Sequence, residues 1–248
     1  MGSSAVVVTD NDPQLAQQLA DELTAYMLTH RADFVGEYID EVEAVRQAVA
    51  TDGPVCLLDM GDNVGGGSAA DSTLIAHEIH RRADTTGFVC LFDPASQDLA
   101  RAAGHGTRIT LAMGGKTDDR HGTPLKTEVI VKSLHNGNFE ESEIRHGGYT
   151  HFEMGATAVV ETDTGLTISL TSQRIVPVSL GVVTSIGLDP ADFQILVAKG
   201  VHAPVAAFEP VCTKLIRVNT SGATAADMRT FDYTYRRRPM YPFEELEG

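Results

Sequence analysis

Blocks of apolar and polar positions alternate along this chain, and their boundaries predict its elements. Ala5 to Val8 is a short β-type run that stops at Thr9-Asp10-Asn11-Asp12-Pro13, where carboxylates and a proline favour the first turn of a helix. That helix is predicted to reach about Thr29, because Leu15, Leu19, Leu23 and Met27 recur at a spacing of four and share one face. A second helix, roughly Ile39 to Ala50, is stopped at Thr51-Asp52-Gly53-Pro54. Val55-Cys56-Leu57-Leu58-Asp59 is too continuously apolar for a half-exposed strand and reads as a buried strand of a parallel or mixed sheet. A Gly-rich segment from Met60 to Thr73 follows, then a helix from about Ser72 to Arg82 and a strand from Gly87 to Phe92. Asp93-Pro94-Ala95 opens another helix, which Gly104 ends. Strand, Gly-rich turn, helix, strand and helix follow the βαβ order, whose crossovers are right-handed.

From Thr107 the pattern changes. Thr107 to Met113, Lys126 to Ser133, Ala156 to Glu161, Leu166 to Thr171 and Arg174 to Val178 read as strands, separated by Gly-rich turns such as Asp163-Thr164-Gly165. A helical piece around Ser179 to Ile186, a buried strand from Gln194 to Ala198, a short helix to Phe208 and a strand from Lys214 to Val218 return the pattern to α/β. The predicted fold class is α/β: a βαβ-type mixed sheet with helices and an antiparallel β-rich middle insertion. The parts expected along residues 1–248 are a lead-in strand and helices (1–53), a βαβ part with the Gly-rich loop (54–106), a β-rich part (107–178), and a return to α/β with a tail (179–248).

Composition narrows the function classes. The 248 residues carry 19 Lys and Arg against 34 Asp and Glu, a formal charge of −15. A net negative field repels phosphate, and the lone basic run, Arg236-Arg237-Arg238, is short, so neither nucleic acid nor a membrane is an expected partner. No apolar run approaches the ~18 residues a membrane span needs. The opening Met1-Gly2-Ser3-Ser4 stretch lacks the basic and long apolar regions of a signal peptide, and Val6 stands where myristoylation requires Ser or Thr. Cys56, Cys90 and Cys212 are odd in number, far apart and set among apolar residues, which predicts reduced core thiols and a cytoplasmic location.

The Gly-rich loop is the first candidate for chemistry. Asp62-Asn63-Val64-Gly65-Gly66-Gly67 follows a buried strand, so its Cβ-free residues could let backbone N–H groups converge on a carboxylate or oxyanion. It lacks the Gly-Lys-Ser/Thr of a P-loop and the register of the dinucleotide fingerprint. A structural turn, with Asp62 and Asp71 capping backbone amides, is the equal alternative. His77 and His80 lie three apart, whereas the zinc motif they suggest needs a spacing of four. His105, His121, His135, His146 and His151 sit in or near Gly-rich turns and read as solvated. Lys199 and His202 follow a buried strand whose end lies near the loop in this reading; they either supply a cation and a proton donor there or form a solvated strand end.

Six short stretches, in order, resemble the microcystinase C (MlrC) family of zinc metallopeptidases. Leu58 to Thr73 is similar to the family's Asp-Asn-Pro-Gly-Gly-Gly signature, with Val64 at the proline position, a departure that allows a differently kinked loop. Asp93-Pro94-Ala95, Met113-Gly114-Gly115-Lys116, His121-Gly122-Thr123-Pro124-Leu125, Val197 to His202 and Arg238-Pro239-Met240-Tyr241-Pro242 follow. The resemblance covers the C-terminal half of the family's usual protein. It implies a hydrolase that cleaves peptide bonds in small or linear peptides, with zinc polarising the carbonyl and activating water. Zinc ligands and the catalytic acidic residue are implied to lie in an N-terminal α/β domain that nothing here matches, so no catalytic or metal residue is carried over and no metal is expected on this chain alone. Asp62, Asn63, Gly65, Gly66, Gly67, Lys199 and His202 are the expected substrate-binding residues, completing a cleft against that N-terminal domain or its separate polypeptide. A stand-alone anion or small-molecule binding module using the Gly-rich loop, and a structural half that supplies an inter-domain or homo-oligomer surface, are the other readings.

Overall fold

Aspartates start three of the helices. In the computed structural model, which describes residues 3–245, Asp12 accepts from the Leu15 amide (2.9 Å), Asp40 from Glu43 (2.8 Å) and Asp93 from Ser96 (3.0 Å). They open α1 (Pro13–Thr29), α2 (Glu41–Val49) and α4 (Pro94–Ala103); α3 (Leu74–Arg82), α5 (Gly181–Thr184) and α6 (Val205–Phe208) complete the helices named here. Met1 and Gly2 of the N-terminal reading lie outside the described residues, as do residues 246–248.

Among the described residues there are ten strands, of which β3 to β8 follow one another without an intervening α-helix: β1 (Val55–Asp59), β2 (Gly87–Phe92), β3 (Arg108–Met113), β4 (Leu125–His135), β5 (Asn138–Glu140), β6 (His151–Glu153), β7 (Thr157–Thr162), β8 (Leu166–Thr171), β9 (Ile195–Ala198) and β10 (Lys214–Val218). Eight form one sheet in the order β10-β1-β9-β2-β8-β7-β4-β3. The first five are mutually parallel, and β7, β4 and β3 continue the sheet antiparallel. The predicted α/β class with a mixed sheet and an antiparallel middle part is the observed one. Most of that middle part extends the main sheet instead of standing apart, because β8 pairs with β2 on one side and β7 on the other. Only the β5–β6 ribbon forms a second sheet.

The inner parallel strands β1, β9, β2 and β8 are almost wholly buried because both sheet faces are covered, whereas the edge strand β10 exposes Lys214 and Arg217. Leu57, Val89 and Ile168 pack with Val45, Ile75 and Ile79 of α2 and α3 on one face, while Cys56, Leu58, Phe88 and Leu196 pack with Val182 and Phe208 of α5 and α6 on the other. In β4 the pattern loosens: Leu125, Val129 and Val131 are buried while Lys126, Glu128 and Lys132 are exposed. The three thiols are free; Cys56 is buried, and burial pushes the Cys56 and Cys90 thiols up. Among the described residues no helix is long and apolar enough to cross a membrane.

Two predicted strands are absent. Arg174 to Val178 leaves the sheet, since Pro177 has no N–H for a ladder and the Val178 amide turns back to Val176 O (2.8 Å). Ala5 to Val8 is extended but pairs with no described strand. The chain divides into two compact units, residues 38–230, which hold the sheet, and residues 3–37 with 231–245.

Candidate functional site at the carboxyl edge of the parallel strands

Three neighbouring parallel strands end in polar residues, and those ends meet. β1 closes on Asp59; β9 is followed by Lys199; β10 is followed, two residues on, by Thr220. The Lys199 ammonium lies 3.0 Å from Asp59 Oδ2 and 3.0 Å from Asp62 Oδ2, and donates to Ser72 O at 2.7 Å. Thr220 donates to Asp59 Oδ1 at 2.5 Å. Asp59 and Asp62 are fully buried and Lys199 is 3% exposed. Burial opposes charge on Asp62 and Lys199, yet pairing prevails. Asp62 is held below the usual carboxylate range by Lys199 and the Ser72 amide, and Lys199 is raised above the usual lysine value by the two aspartates.

Asp62 also closes the Gly-rich loop. Its Oδ1 accepts from Ala70 N and its Oδ2 from Ser72 N, both at 2.7 Å, which ties the two ends of the loop together and holds Ala70 at a left-handed φ of 66°. Gly61 lies so close to the strand end after β10 that an added Cβ would sit 2.3 Å from Thr220 O. Beyond Asp62 the chain makes a 3-10 turn, Val64–Gly66. Gly66 N and Ser68 N donate to Asn63 O, Gly67 N to Val64 O, and Val64 N to Lys199 O. Those four amides are spent within the fold and are not free to converge on an anion.

A second layer uses the remaining motifs. Asp71 Oδ2 accepts from the amides of Lys116 (2.9 Å) and Thr117 (3.0 Å), and Asp71 O from Gly115 N (2.7 Å). The Lys116 ammonium pairs with Asp93 at 2.7 Å, and Gly114 N donates to Asp93 Oδ2 at 2.9 Å. Burial raises the Asp93 carboxyl, but Lys116 and the Ser96 and Gly114 amides outweigh it and hold it below the usual range. Gly114 needs its left-handed φ of 63°, and a Cβ there would meet Asp71 O at 2.6 Å.

His121, expected to be solvated, is fully buried. Its Nδ1 is 2.7 Å from Asp118 Oδ1, while Nε2 is 2.8 Å from Ser68 Oγ and accepts from Ala223 N at 3.3 Å. These partners place a hydrogen on Nδ1 facing Asp118 and make Nε2 the acceptor from Ala223 N. The sequence pattern missed it because local Gly-rich context says nothing of Ser68 and Ala223, 53 and 102 positions away, which meet the ring's Nε2. His77 and His80 bond to Thr123 O (2.9 Å) and Thr164 Oγ1 (2.6 Å), far from a shared ligand geometry.

The seven residues expected to bind substrate therefore separate. Asp62 and Lys199 lie in the buried network. Gly65, Gly66, Gly67 and His202 are exposed, and Asn63 is half-buried between the two sets. The loop after β9 runs beside the Gly-rich loop, with Asn63 Oδ1 3.7 Å from where a Gly200 Cβ would sit. Among the described residues no group of three His, Cys, Asp or Glu side chains could hold a metal ion. Asp59 and Asp62, the paired carboxylates, already share an ammonium whose charge opposes a dication, so the residues present do not fit zinc.

This is an α/β protein whose polar centre lies at the carboxyl ends of parallel strands, where ligands of open α/β sheets bind. Residues 57–235 match the family described as MlrC C-terminus, and the chain belongs to that family. It is 24% identical over 252 residues to microcystinase C of Sphingomonas sp., a match covering 99% of this chain and 47% of that protein. It superposes with a TM-score of 0.83 and 24% identity on the crystal structure of a Mesorhizobium sp. BNC1 protein provisionally described as a metallopeptidase, over 96% of this chain and 48% of that one. The second likeness is one of fold. The chain spans about half the length of the relatives it matches.

Proposed function

We propose that this chain is the C-terminal part of a microcystinase C-like zinc metallopeptidase that hydrolyses peptide bonds in small or linear peptides. The observation that carries this reading is the joining of the Gly-rich loop to the loop after β9, through Val64 N and Lys199 O at 3.2 Å, at the carboxyl edge of the parallel strands. In this scheme Asn63, Gly65, Gly66, Gly67 and His202 face the peptide. Asp62 and Lys199 are positioning residues that fix the loop from beneath. The metal and its ligands come from an N-terminal α/β domain, present as a separate polypeptide or in the same protein. A cytoplasmic setting agrees with the free thiols.

The test combines this chain with the part of microcystinase C outside its match, and follows cleavage of a linear peptide. Asn63→Ala with His202→Ala is expected to lower kcat/KM by about tenfold or more, the cost of two lost polar contacts, while the unfolding midpoint stays put. Unchanged kcat/KM would remove these residues from the substrate face. No cleavage by the unsubstituted pair would count against the peptidase reading itself.

A further inference from the structure

The smaller compact unit carries an unfinished βα pair. Ser4 to Thr9 is extended, and its side chains alternate: Ala5, Val7 and Thr9 are half-buried, while Val6 and Val8 are 86% and 90% exposed. None of the backbone groups of Ser4 to Val8 is hydrogen-bonded to another described residue. Three consecutive valines in an open extended segment favour a sheet, and a free strand edge of this kind is a template for pairing. The chain then turns through Thr9 and Asp12 into α1, with Thr9 Oγ1 donating to Asp12 O at 2.6 Å.

α1 is unfinished in the same sense. Over its 17 residues none is buried. Leu15, Leu23 and Tyr26 are 43%, 47% and 56% exposed on or beside the face that the four-residue spacing marks as the core side. A helix of this length normally draws its stability from packing that face. Its opposite side is already polar, with Gln17 bonded to Asp21, and the Gln18–Glu22 pair flanks the apolar face beside Leu15. The C-terminal residues of the unit are bonded largely among themselves: Arg236 pairs with Glu244 and lies 4.2 Å over the Phe243 ring, and Tyr233 meets Phe243 edge-on at 5.5 Å, while Tyr241 lies under Arg31, just after α1, at 5.7 Å. What stays open is one strand-like segment and the Leu15, Leu23 and Tyr26 part of a helix face whose Leu19 and Met27 are half-buried, in the order of the repeating unit of an α/β sheet.

We infer that Ser4–Val8 and α1 dock as a strand and its following helix onto the sheet of the α/β domain that makes up the other half of the family's protein. Val6 and Val8 enter its core, and the backbone of Ser4–Val8 adds to its edge. The occupant is chosen by two facts: relatives are about twice the length of this chain, and the open feature is a βα pair, which an α/β sheet completes. The inference rests on the family reading under Proposed function and names the surface through which the halves join.

The experiment co-expresses this chain with the part of microcystinase C outside its match. It reads co-purification, hydrogen exchange at the amides of residues 4–8, and peptide cleavage. Support is a one-to-one complex in which those amides become protected by at least tenfold relative to this chain alone. Val6→Asp with Val8→Asp should abolish capture while leaving the unfolding midpoint of this chain unchanged, since both side chains are solvent-exposed. A complex without protection at residues 4–8, absence of a complex, or protection arising from self-association of this chain would each overturn the inference. A complex that cleaves peptide without that protection would sink the docking surface and keep the peptidase reading; protection without cleavage would do the reverse.

Discussion

The Gly-rich loop has a foundation and a rim, and the two differ in burial and bonding although Asp62 and Asn63, one from each, are neighbours in sequence. The foundation, Asp59, Asp62, Lys199, Thr220 and His121, is buried, polar and bonded from several sides. The rim, Asn63, Gly65 to Gly67 and His202, is largely exposed and low in side-chain bonding. Burial makes each foundation residue indispensable to the others, because an ammonium or carboxylate left alone in that setting has no water to replace its partner. Rim residues are free to change without that penalty, which is what a surface that meets a ligand requires.

The comparison breaks first at Lys199. Lys199→Ala leaves Asp59 and Asp62 buried side by side without their cation, and should lower stability by about 3–5 kcal/mol in urea denaturation; a loss below about 1 kcal/mol would mean the network does not fix the loop. Gly61→Ala comes next, at about 1–3 kcal/mol, because its Cβ would need space held by Thr220 O and Ser221 O, 2.3 and 2.5 Å away. An unaltered midpoint would show that the two strand ends separate easily.

Acid sharpens the contrast further. Asp62 and Asp93 are held below their unfolded value of about 3.9, so their contribution is full above that pH and is lost as pH falls through the folded values. Lys199 is raised, so its contribution is full below its unfolded value of about 10.4 and is lost as pH rises through the folded one. The urea midpoint should vary little from these groups between the two limits and fall beyond each. Asp62→Asn should flatten the acid limb; an identical limb in that variant would place the acid sensitivity elsewhere. The smallest effect belongs to the rim: His202→Ala should change stability by less than about 0.5 kcal/mol, and a larger loss in the same assay would move His202 into the foundation.

The fold was largely legible because its parallel strands announce themselves. Val55 to Asp59, Gly87 to Phe92, Leu166 to Thr171 and Lys214 to Val218 were readable to the residue from apolar runs bounded by Gly, Pro or Asp. Arg174 to Val178 was misread because a run of apolar residues does not reveal that Pro177 turns the chain out of the sheet. The β5–β6 ribbon went unseen, since its three-residue strands are too short to show a period. At the site, Asp62 and Lys199 were singled out through motif and position, but Asp59, Thr220, Ser68 and the burial of His121 were not, because the pairs Asp59–Lys199, Asp59–Thr220 and Ser68–His121 join residues far apart in the chain.

Sequence by itself determined the α/β class, the helix starts at Asp12 and Asp93, the Gly-rich loop after β1 and the resemblance to one family, all of which rest on neighbours in the chain or on short ordered motifs. Tertiary structure alone decided which charged residues are buried. Lys199 and Asp59 are 140 positions apart, and only the placing of β9 beside β1 brings an ammonium and a carboxylate within 3.0 Å and out of water. Whether a polar residue holds up the fold or faces a ligand depends on that separation from solvent, which strand order controls.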